Sequence, residues 1–154
     1  DNFSHMPDIL KGLQIPGVDG ILLDLGLSLH QLRKGQRGFS FLKDEPLDMR
    51  MDKRHGITAA DIVNTFTQKE LTDIFFSYGE ERMSRQIARR IIESRTLAPI
   101  TTSVQLAAII TDAIPTKVAR TQKIHPATRV FQALRIVVNK ELENIEIRTF
   151  LWEV

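Results

Sequence analysis

The residues best suited to chemistry stand at Gly20-Ile21-Leu22-Leu23-Asp24-Leu25-Gly26, where a carboxylate ends a short apolar run and a glycine turn follows. Such a run, without alternation, suits a strand covered on both faces. Gly20 and Gly26 bracket a strand's length, although a buried helical turn would show the same periodicity. On the strand reading, Asp24 stands at the carboxyl end, where open α/β sheets hold their ligands. The plainer alternative is a core strand whose Asp caps the next turn.

Two further stretches carry usable groups. Residues 28–54 follow neither helical nor strand period, yet Arg37-Gly38-Phe39-Ser40-Phe41 and Pro46-Leu47-Asp48-Met49-Arg50-Met51-Asp52 mix apolar side chains with opposite charges. Long loops of that content are usually functional. The alternative is a loop pinned by Phe39, Phe41, Leu47 and Met49, with its Asp-Arg pairs as surface salt bridges. Between Thr116 and Arg129 the charge is one-sided: Lys117, Arg120, Lys123, His125 and Arg129, with no acid among them. That makes a candidate RNA contact. A second row, Arg82, Arg85 and Arg89, could meet phosphate, but Glu80, Glu81 and Glu93 nearby suit a solvated helix face.

The elements that must position these groups are mostly helical. Ser4 and Pro7 open a short helix that Gly12 should close. Thr58 can cap Ala59 to Phe66. Thr67-Gln68-Lys69-Glu70 and Thr102-Ser103-Val104-Gln105 are capping boxes. The first precedes Leu71, Ile74, Phe75 and Tyr78, a helix closed at Gly79; the second precedes Leu106, Ile109, Ile110 and Ala113, a helix stopped by Pro115. Between them a helix from Glu80 to about Ser94 buries Met83, Ile87, Ala88 and Ile91. These four short helices suggest a small bundle with its own core. A last, long helix starts at His125-Pro126 and carries Phe131, Leu134, Val137 or Val138, Leu142 and Ile145 as an apolar stripe.

The 154 residues suffice for one domain, and 21 Lys and Arg against 19 Asp and Glu leave a net charge of only +2. A uniform basic coat is therefore excluded, but a local basic patch is not. There is no cysteine, hence no disulfide and no thiolate metal site. No apolar run approaches the roughly 20 residues of a membrane span. The chain opens on Asp1-Asn2-Phe3 without an initiator Met, so the expectation is a piece of something longer, soluble and cytoplasmic, with an organellar matrix as the alternative compartment.

Taken in order, Asn2-Phe3-Ser4, the Gly20 to Gly26 stretch, Arg37 to Phe41, Pro46 to Asp52, Tyr78-Gly79-Glu80-Glu81, His125 to Arg135 and Asn139-Lys140-Glu141-Leu142 resemble the ribosomal RNA cytosine-N4 methyltransferases of the MraW/RsmH family. The resemblance covers about residues 1 to 146. It implies an α/β fold: a partial class I, Rossmann-like methyltransferase core with an inserted all-helical domain. The corresponding division is a partial core over 1–54, an inserted helical domain over 55–124, and a long helix returning to the core over 125–154. It also implies S-adenosyl-L-methionine as cofactor, with Phe3, Asp24 and Gln31 matching cofactor contacts. An aromatic face, a carboxylate and an amide suit a nucleoside. Just after Asp24 the chain departs from the family: Leu27, Leu29 and His30 replace the common Val, Ser and Pro, and Arg33 replaces an Asp.

The implied reaction moves a methyl from a sulfonium to the exocyclic amine of a cytosine in small-subunit ribosomal RNA. That nitrogen is a poor nucleophile, so a site must align it and accept its protons. Asp24 and backbone carbonyls near Leu25 are candidate acceptors, no general base is assigned, and neither a metal nor a membrane is required. The cytosine must be unpaired. Arg37, Asp48 and Arg50 in the loop, with His125 and Arg129 at the start of the last helix, are the candidate RNA side. The family's glycine-rich turn and later strands are missing, and residues after Ile147 depart from its pattern. A truncated or frameshifted product, inactive alone, is expected. The competing reading is a non-catalytic RNA-binding or ribosome-associated helical module. A phosphate-binding α/β protein of another kind is a weaker third, since no Walker-type glycine loop is present.

Overall fold

The computed structural model describes residues 6–18, 20, 36–54, 56–119 and 121–141. The strand expected at Ile21 to Leu23 lies outside the described residues, as do Ser4, Leu142 and Ile145. The chain divides into two compact units, Asp1–Ser28 with Lys140–Val154, and Leu29–Asn139.

In the first unit, α1 covers Met6–Gly12, with Asp8 in its first turn and Lys11 in its last, each favourable to the helix dipole. The helix ends at Gly12, where the sequence places its end, but Gly12 is its last residue rather than the one beyond it, and the left-handed residue is Gln14 at φ 57°.

The second unit is helical: α2 (Ala59–Thr65), α3 (Gln68–Ser77), α4 (Ser84–Arg95), α5 (Ser103–Ala113), the single turn α6 (Thr116–Ala119) and α7 (Ala127–Val138). Among the described residues, extended pairing is confined to one antiparallel bridge between Pro46 and Thr102. Three starts are fixed by local chemistry. Thr58, Thr67 and Thr102 each accept a backbone N–H at N3, while Asp61, Glu70 and Gln105 reach back to the cap. Two otherwise orphaned donors are satisfied at each start.

The fourth start differs from its expectation. Rather than beginning at Glu80, α4 begins at Ser84. Glu80 adopts φ 50°, and the Glu81 carboxylate accepts the Met83 N–H at 2.8 Å, so residues 80–83 form a turn. Gly79 before it is required by proximity: a Cβ there would lie 2.6 Å from the Arg129 carbonyl oxygen and 2.8 Å from that of Phe75.

One core joins these elements. Ile62, Val63, Leu71, Phe75, Ile87, Ile91, Leu106, Ile110 and Leu134 are fully buried, and so are Leu47 and Met49 from the loop. The faces at three- and four-residue spacing meet as α3 on α4, α4 on α5, and α7 against α2, α3 and α5. Burying such side chains stabilises by about 1.5–3 kcal/mol each. Met83, expected in the core, is half-buried. Thus the loop and α7 share their core with the four-helix set.

Candidate functional site

The loop of residues 36–54 is held from three directions. Its near end is stapled to α5: Leu47 N–H donates to the Thr101 carbonyl at 2.9 Å, Ser103 N–H donates to the Glu45 carbonyl at 2.9 Å, and Ser103 Oγ donates to the Lys43 carbonyl at 2.8 Å. Glu45, buried, accepts the Gly38 N–H at 3.0 Å. Gly38 has φ 70°, and a Cβ on it would stand 2.5 Å from the Pro46 carbonyl oxygen. Only glycine fits there.

Arg37 holds the loop from inside. Its Nη1 donates to the carbonyls of Arg50 (2.8 Å) and Met51 (3.0 Å), its carbonyl accepts the Met49 N–H at 2.8 Å, and its guanidinium lies 5.1 Å from the Phe39 ring centre. Arg50 forms a two-point pair with Asp48, Nε to Oδ1 at 2.7 Å and Nη2 to Oδ2 at 3.0 Å. That bond holds the Asp48 carboxyl below its ordinary 3.8, against the opposing effect of burial. Asp52 and Arg54 make a similar but exposed pair at 2.7 Å. The loop's Asp-Arg pairs thus form bridges, as the alternative reading expected, but the Asp48–Arg50 pair is mostly buried rather than on the surface.

The third hold comes from the end of α7 and had no role assigned from sequence. Asn139 donates through Nδ2 to the Met49 carbonyl at 2.8 Å and accepts the Met51 N–H on Oδ1 at 2.7 Å. Met49 sits in the left-handed region at φ 59°, a conformation that costs a side-chain-bearing residue about 1–2 kcal/mol. Its burial and these hydrogen bonds offset that cost. Only the presence of an amide at a helix end could have hinted at this.

At the other end of α7, His125 stacks on Phe41, ring centres 4.4 Å apart and planes at 26°. Phe41 also meets Phe131 edge-on at 5.1 Å. His125 Nδ1 accepts the Ala127 N–H at 3.1 Å, a helix-start bond. Phe41 thus brings His125 to the loop that carries Arg37, Asp48 and Arg50. Arg129 is placed elsewhere: its Nη1 donates to the Glu80 carbonyl at 3.1 Å, and it lines a cavity of about 500 Å³ with Glu81, Arg82 and Lys123. In the arginine row, Arg89 pairs with Glu93 at 3.0 Å; Arg82 and Arg85 are exposed. Phe3, Asp24 and Gln31 lie outside the described residues. Among the described residues, no group of three or more His, Asp or Glu could hold a metal ion, and no helix is long and apolar enough to cross a membrane.

The family model described as the MraW methylase family matches residues 1–151. The chain belongs to that family. A relative from Desulforapulum autotrophicum, named ribosomal RNA small subunit methyltransferase H, is 67% identical over 153 residues, which is 98% of this chain and 49% of the relative. Proteins of the same name from Desulfosudis oleivorans and Syntrophus aciditrophicus are 60% identical over 94% of the chain and 54% over 97%, covering 46% and 47% of themselves. The chain spans about half the length of the curated relatives it matches.

Proposed function

We propose that this chain is part of an S-adenosyl-L-methionine-dependent methyltransferase that modifies N4 of a cytosine in small-subunit ribosomal RNA. One observation carries the reading: the family match runs nearly end to end, at up to 67% identity to proteins named ribosomal RNA small subunit methyltransferase H. In the longer protein, residues 1–54 and 125–154 would contribute to a Rossmann-like core, and 55–124 would form an inserted helical domain. The protein would work in the cytoplasm, where ribosomal RNA is made.

S-adenosyl-L-methionine supplies an electrophilic methyl on a sulfonium. Phe3 offers an aromatic face for its adenine, Asp24 a carboxylate, and Gln31 a two-way amide, a donor set that suits a nucleoside. Asp24 and nearby backbone carbonyls are the candidate acceptors for the amine protons. On the RNA side, the loop presents Asp48 and Arg50 on a frame held by Arg37, and His125 extends it through Phe41. Arg129 serves a separate groove. Pre-set geometry of this kind lowers the cost of aligning a weak nucleophile.

Labelled S-adenosyl-L-methionine binding to the longer protein tests the cofactor half. Asp24→Ala should abolish binding at concentrations that saturate the unaltered protein. Unchanged binding would remove Asp24 from the site. A protein that binds RNA but no cofactor would instead be a non-catalytic ribosomal RNA-binding module.

A further inference from the structure

The turn between α3 and α4 holds a carboxylate that packing leaves unexplained. Glu81 is 1% exposed. Its Oε1 accepts the Met83 N–H, but Oε2 is buried with no hydrogen-bond partner among the described residues. Leaving a buried carboxylate oxygen unsatisfied is costly, and such sites ask for a donor. Glu81 lines the cavity of about 500 Å³ whose other walls include Arg82, Met83, Val118, Lys123, Ile124 and Arg129. The volume lies in the range of small-ligand sites.

The wall chemistry is selective. A simple anion would suit the three cations but not the carboxylate. A divalent metal would need several oxygen ligands, and one carboxylate is present. A cytidine or adenosine nucleotide uses all three features: apolar walls for the base face, an acceptor for the exocyclic amine, and cations for the phosphate. We propose that this cavity takes one unpaired nucleotide of RNA, its base amine donating to Glu81 Oε2 and its phosphate meeting Lys123 and Arg82. Arg82 and Lys123 are long and exposed, so they can reach a phosphate at the cavity mouth. The frame behind them is fixed, with Gly79 pressed against the Arg129 backbone and Arg129 bonded to Glu80. The choice of RNA as ligand rests on the methyltransferase reading.

The test is fluorescence anisotropy of the purified chain with short single-stranded RNAs differing at one position: cytidine, adenosine or uridine. The chain should prefer the two amine-bearing bases. Glu81→Gln should weaken their binding about tenfold and erase the preference, the loss of a charge-assisted bond. Lys123→Ala should weaken all three RNAs alike. Should Glu81→Gln fail to fold, ultraviolet cross-linking of the unaltered chain decides: adducts should map to 81–83 or 118–124. A folded Glu81→Gln variant that keeps the parent's preference for cytidine and adenosine over uridine, or cross-links confined elsewhere, would overturn the proposal. Methyl transfer is a separate readout on the longer protein, so failure of the enzyme reading leaves this base preference measurable.

Discussion

The Asn139 side chain bonds the backbone of Met49, 90 residues away in sequence, at 2.8 Å. The same amide takes the Met51 N–H, so one side chain fixes both flanks of Arg50. Removing it strands a carbonyl and an N–H in a partly buried place. Asn139→Ala should destabilise the chain by about 1–3 kcal/mol, read as a lower urea midpoint at constant slope. A midpoint unmoved by the substitution would show that water replaces the amide without cost.

Gly79 tests the packing of the α3–α4 turn on α7. In Gly79→Ala the new Cβ meets two backbone oxygens at 2.6 and 2.8 Å, neither of which can rotate away. The cost should be about 2–3 kcal/mol or more, as for overpacked sites. A thermal midpoint within a degree or two of the parent would place the helices further apart than described.

Acid should weaken the loop through Asp48. Its carboxyl, bonded to Arg50, titrates below its ordinary 3.8 in the folded chain. A depressed value means the stabilisation is present above the unfolded value and is lost as pH falls below about 3.8 through the folded one. Asp61 and Glu70, held low by Thr58 and Thr67, act in the same direction. Urea midpoints should therefore be flat from neutrality down to about pH 5 and fall below pH 4. Asp48→Asn should lower the neutral-pH midpoint and flatten the acid slope. An unaltered slope would deny the pair any role in stability.

Arg37 and Arg50 separate structure from RNA contact. Arg37→Ala removes two bonds to backbone carbonyls and should lower stability by about 1–3 kcal/mol. Arg50→Ala leaves Asp48 unpaired at a partly exposed site, a smaller cost. In the longer protein both should weaken methyl transfer while cofactor binding is retained. Equal loss of cofactor binding and of folding would assign both arginines to structure alone.

What sequence reading reached was what short-range chemistry determines. The boxes at Thr67 and Thr102 are legible because cap and partner lie three residues apart, and Asp-Arg pairing in the loop because opposite charges alternate at a spacing of two. The start of α4 was misplaced because a left-handed Glu80 has no sequence signature and Glu81 spends one oxygen on its own turn. Asn139 on Met49, Ser103 on Lys43 and Phe41 on His125 join residues far apart in the chain. No period or motif announces such contacts. Gly79 stands just past the end of α3, as a helix stop should, but its second need, the Arg129 backbone beside it, has no mark in the sequence.

Digestion and mass spectrometry of small-subunit RNA, after incubation with the longer protein and labelled S-adenosyl-L-methionine, addresses the enzymatic reading most directly. The label should appear in N4-methylcytidine at one position, and Asp24→Ala should remove it. RNA that is bound but carries no labelled cytidine would contradict the account.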